Sequence, residues 1–178
     1  MNNEKFKSYI IHTITLLKTL ARKAKAEAEN PKESSNAYAE GVLMGYYSII
    51  SLLKHQAFAF CIDQKELGLA DIKPDIDLLG LHRNPDIDFE EDNWSVDVMS
   101  EERAQGYLSD SIQLLKDQAK EAKLDADHPK EGDSADFNTG FLMAYHQVIA
   151  LMKNQAPFFD LSQEDIGLAD IEPEKDLL

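Results

Sequence analysis

The chain has 178 residues, 43% of them hydrophobic and 29% charged, with 33 acidic against 18 basic side chains and a net charge of −15. That is the composition of a soluble globular protein, with chain enough for one sizeable core or two small units. An acidic surface repels free nucleic acid and attracts basic proteins. The single cysteine, Cys61, rules out an intrachain disulfide framework and points to a reducing, cytoplasmic setting.

In chain order, Glu4, Lys5 and Lys7 precede a short apolar stretch broken by His12 and Thr13, with no small-residue cleavage site after it. A secretory signal is therefore not expected. Ile14, Leu17, Ala21, Ala24 and Ala28 then recur at alternating spacings of three and four, the seam of an amphipathic helix packed along a neighbour. Lys18, Arg22 and Lys25 share one face of that helix. They read as a solvated stripe or, alternatively, as a surface that meets acidic groups of a second molecule. Pro31 ends the helix.

A second helix covers Val42–Phe60, with apolar residues at Val42, Leu43, Tyr46, Ile49, Ile50, Leu53, Ala57 and Phe60. Its length raises the question of a membrane span. Lys54, His55 and Gln56 interrupt it, and a charge near a bilayer centre costs about 2.5–3.5 kcal/mol, so a buried helix of a non-membrane protein is expected. Gly41, at its start, suits a tight hairpin mouth. Asp63 and Glu66 have capping-box spacing for a short helix that Gly68 would stop. Pro74-x-x-Asp77-Leu78-Leu79 is expected as an extended tail with both leucines buried.

Residues 80–100 form an acidic linker that holds Pro85 and the one tryptophan, Trp94, expected to dock on the body of the protein or, alternatively, to contact a partner. The whole pattern then repeats. Residues 40–79 and 139–178 align without a gap, and roughly half of the positions are identical. Gly68-Leu69-Ala70-Asp71-Ile72 returns as Gly167-Leu168-Ala169-Asp170-Ile171. The helix seam returns as Ile112, Leu115, Ala119, Ala122 and Ala126. Ser162 and Asp165 repeat the cap, less strongly.

Self-similarity of this kind fixes an architecture before any other signal does. The expected fold is all-α: two tandem helical-hairpin repeats, 1–79 and 101–178, joined by the 80–100 linker and packed as a pseudo-twofold four-helix bundle. Each hairpin would be followed by a short helix and an extended tail, in one compact domain overall. The repeats differ in charge. Residues 1–79 carry ten basic and ten acidic side chains, whereas 101–178 carry seven and 17. Acidity is thus a property of the second copy and the linker and not a demand of the fold.

Chemistry is hard to find. Val42–Phe60 and Phe141–Phe159 contain no acidic residue, so no carboxylate-bridged metal centre can be built between them. Neither Glu-x-x-His nor the magnesium-holding Glu-x-x-Glu of all-helical nucleotide pyrophosphohydrolases occurs. No histidine recurs at matching places, and there is no phosphate loop or nucleophile elbow. No cofactor and no metal are expected, and an enzymatic role is disfavoured.

The leading expectation is a non-enzymatic interaction module that meets a basic protein surface, with Asp125, Asp127, Glu131, Asp133, Asp136 and Trp94 as contacts. Its sharper form is an inhibitor or immunity-type protein that masks a basic partner. No direct nucleic-acid or membrane contact is expected, and a monomeric pseudo-dimer is favoured over self-association. Two other readings stand beside it. One is a small-molecule-binding or enzymatic bundle with a cavity formed by Tyr46, Tyr145, Gln56 and Gln155. The other is a structural assembly subunit.

Overall fold

A computed structural model describes residues 4–31, 35–81 and 98–178 of the chain. The elements are α1 (Lys5–Glu29), α2 (Asn36–Ala59), α3 (Pro74–Asp77), α4 (Glu101–Asp127), α5 (Ala135–Gln155) and α6 (Pro173–Asp176), with a 3₁₀ turn at Ala156–Phe159. The described residues hold helices and turns and no strand. His82, the linker's interior and Trp94 lie outside the described residues.

Helix starts follow from serine. Ser35, Ser100 and Ser134 accept from the amides of Tyr38, Arg103 and Phe137 at 3.2, 3.2 and 3.3 Å. Each satisfies a donor that the first turn leaves without a helical partner. Helix α1 has no side-chain cap from its own preceding residue. Instead the Glu101 carboxylate of α4 accepts from Phe6 N at 2.7 Å and Lys7 N at 3.4 Å, placing negative charge on the positive end of α1.

The periodic seams are buried as their spacing predicts. Ile14, Leu17, Ala21 and Ala24 of α1 and Ile112, Leu115, Ala119 and Ala122 of α4 all lie in one contiguous core, which α2 and α5 complete with Tyr46, Ile49, Ile50, Tyr145, Val148 and Ile149. The broad apolar faces of α2 and α5 cover each other. Gly41 lies against Phe137 and Phe141, Gly45 against Ala144, and Ser48 Oγ is 3.1 Å from Tyr145 Oη. These contacts ascend together along both helices, so α2 and α5 run in the same direction.

The glycines therefore act differently from the sequence expectation. A Cβ on Gly41 would overlap the carbonyl oxygen of Phe137, and one on Gly140 the carbonyl oxygen of Tyr38. They admit the other long apolar helix rather than shaping a hairpin mouth. The period of α2 identifies its buried face, and it carries no information about which neighbour comes closest.

The segments after α2 and α5 also depart from expectation. Residues 64–68 and 163–167 form turns, not short helices. Ser162 and Asp165 do cap reciprocally, with Ser162 N to Asp165 Oδ2 at 2.8 Å and Asp165 N to Ser162 Oγ at 3.1 Å. Asp63 accepts instead from Lys65 N at 2.8 Å, and Glu66 reaches across to Met99 N at 2.7 Å. Gly68 and Gly167, at φ +70° and +71°, take the left-handed conformation expected of them.

One-turn helices appear where extended tails were expected. Pro74 and Pro173 occupy the first helical position, which suits proline. Asp77 and Asp176 then accept from Lys73 N and Glu172 N at 2.7 and 2.8 Å. Leu78 and Leu177 are buried, while Leu79 is half-buried and Leu178 exposed. One turn of helix places successive side chains about 100° apart, so both leucines cannot face the core. Pro157, which lacks an amide hydrogen, tightens the end of α5 into its 3₁₀ turn.

Candidate functional site

Polar residues that recur at matching places in the two halves bind the chain itself. Lys18 Nζ donates to Gly68 O and to Asp71 Oδ1, each at 2.6 Å, and Lys116 Nζ to Gly167 O at 3.1 Å and Asp170 Oδ1 at 2.9 Å. Lys54 Nζ donates to Ile72 O at 2.7 Å and Leu69 O at 3.3 Å; Lys153 Nζ donates to Ile171 O, and to Glu172 Oε1 at 2.8 Å. Four lysines thereby pin the two Gly-Leu-Ala-Asp-Ile turns onto the helices. The Lys18 and Lys116 side chains hold the carboxyls of Asp71 and Asp170 below the usual carboxylate range.

Tyr9 Oη donates to Met152 O at 2.9 Å and Tyr107 Oη to Leu53 O at 3.1 Å, so each first helix reaches the second helix of the other half. Burial pushes both phenols above their ordinary value. These ties were only partly legible beforehand. The lysine stripe, read as solvated or as facing a second molecule, lies on the chain's own tail: Arg22 is 3.8 Å from Asp71, and Lys25 donates to Asp77 O at 2.8 Å. The signal that identifies the pairs is their joint recurrence, because Lys18 and Asp71 both return as Lys116 and Asp170.

The bundle interior is filled. Its central void is about 20 Å³, bordered by Tyr9, Thr13, Tyr107 and Ser111, which is room for about one water and not for a substrate. Tyr46, Tyr145, Gln56 and Gln155 do not border it. Tyr46 Oη donates to Gln147 Oε1 at 2.6 Å, and Tyr145 Oη to Gln118 Oε1 at 3.0 Å. Gln155 Oε1 lies 3.0 Å from His12 Nε2. No group of three or more His, Cys, Asp or Glu placed to hold a metal occurs among the described residues.

Outside, the sequence-selected acids gather at the α4–α5 turn. Asp127, Glu131, Asp133 and Asp136 are exposed and Asp125 is half-exposed. Some of them also serve the turn. Asp127 pairs with Lys123 at 3.1 Å and Asp125 with Lys130 at 3.5 Å, while Asp133 Oδ2 accepts from Lys130 N at 3.1 Å. Glu131 lies within that turn and Asp136 in the first turn of α5.

Farther along the bundle an open groove of about 340 Å³ lies between α2 and α4, lined by Ser48, Ser51, Leu52, His55, Gln56, Leu114 and Gln118. Gln56 Oε1 is shielded from solvent there and has no hydrogen-bond donor. The corresponding amide of the other half, Gln155, has His12. Asp110 occupies the place of His12 in the second half, and a carboxylate has no hydrogen to give. No helix among the described residues is long and apolar enough to cross a membrane. Comparison with known protein families, with curated proteins and with solved structures finds no match to this chain.

Proposed function

We infer that the chain is a fused pseudo-dimer, two helical hairpins related by an approximate twofold axis, that works as a non-enzymatic interaction module. Its partner is a protein with a basic surface, which the acidic second repeat covers in the manner of an inhibitor or immunity protein. One observation carries this reading: the recurring lysines and tyrosines turn inward to hold the fold together. What distinguishes the repeats is left on the outside, and in residues 101–178 it is acidic by 17 to seven. Complementary charge of this kind governs encounter rate and partner choice more than raw affinity.

Capture from an extract of the native cell tests it. The immobilised chain retains a basic protein at low ionic strength and releases it as salt rises, because rim charges are screened within about 8 Å at physiological ionic strength. The variant Glu131→Gln/Asp136→Asn, which leaves the capped turn intact, lowers retention. Retention indifferent to both salt and this variant would refute the reading.

A further inference from the structure

We draw no further inference here: the strongest candidate, the open groove between α2 and α4 with Leu52 and Leu114 in its lining, has a mixed polar and apolar wall that selects no single occupant, and nothing in the structure shows what covers it.

Discussion

Gly41 in α2 stands directly against the carbonyl of Phe137 in α5, with no space for even one carbon between them. Gly140 stands in the same relation to the carbonyl of Tyr38, so the two helices meet backbone to backbone at paired points. Gly41→Ala or Gly140→Ala forces the helices apart and costs about 1–3 kcal/mol, the usual range for overpacking a filled core. The double variant costs less than the sum, because one displacement relieves both clashes. Urea unfolding of the four proteins in this cycle measures it. Full additivity would mean that the two contacts yield independently.

The lysine ties make an acid-sensitive contribution. Lys18 and Lys116 lower the carboxyls of Asp71 and Asp170 in the folded state. A carboxyl lowered on folding stabilises the protein fully above its unfolded value of about 4, and that stability fades as pH falls through the folded value. Both carboxylates are well exposed, so each tie contributes only about 0.5–1 kcal/mol. Asp71→Asn/Asp170→Asn should flatten the dependence of unfolding free energy on pH below about 4 and leave the slope near neutrality unchanged. Denaturant titrations across that acid range supply the comparison.

Two residues occupy a conformation that suits glycine better. Cys61 and Asp160, at φ 51° and 54°, end α2 and α5 in the left-handed region. The bonds Ile62 N to Ala57 O at 2.9 Å and Leu161 N to Ala156 O at 3.1 Å close both ends. Cys61→Gly and Asp160→Gly each relieve backbone strain and raise stability by about 1 kcal/mol. Thermal unfolding should show both midpoints rising. The same pair tests whether the exposed thiol matters to function, since Asp160 already shows that the fold works without one there.

The buried phenols join the two halves. Tyr9→Phe removes the phenol donor from Met152 O, which keeps the helical amide of Ala156, and Tyr107→Phe removes the phenol donor from Leu53 O inside α2, at about 1 kcal/mol each. Chemical denaturation gives the size of the loss. Should either change prove neutral, the helical amide alone satisfies that carbonyl.

Much of this organisation was readable in the chain. The three-and-four spacing from Ile14 to Ala24 located a buried seam, Pro31 located its end, and Gly68 located a left-handed stop, because each depends on local backbone geometry. Pairings across the fold were hidden for an equally physical reason. The Lys18–Asp71 tie closes a loop of 53 residues, and no local rule links its ends. The same holds for Glu101 over the first turn of α1 and for Gly41 against Phe137. The acids at the α4–α5 turn were visible as composition. That Asp125 and Asp133 also serve the turn, while Asp127 pairs with Lys123 along α4, is visible only in space.

Because α2 and α5 point the same way, the turn that opens α5 and the start of α2 emerge at a shared end of the molecule. On the α5 side of that end Asp127, Glu131, Asp133 and Asp136 are exposed. On the proposed reading, a basic partner that approaches this end is also turned about the long axis toward its α5 side.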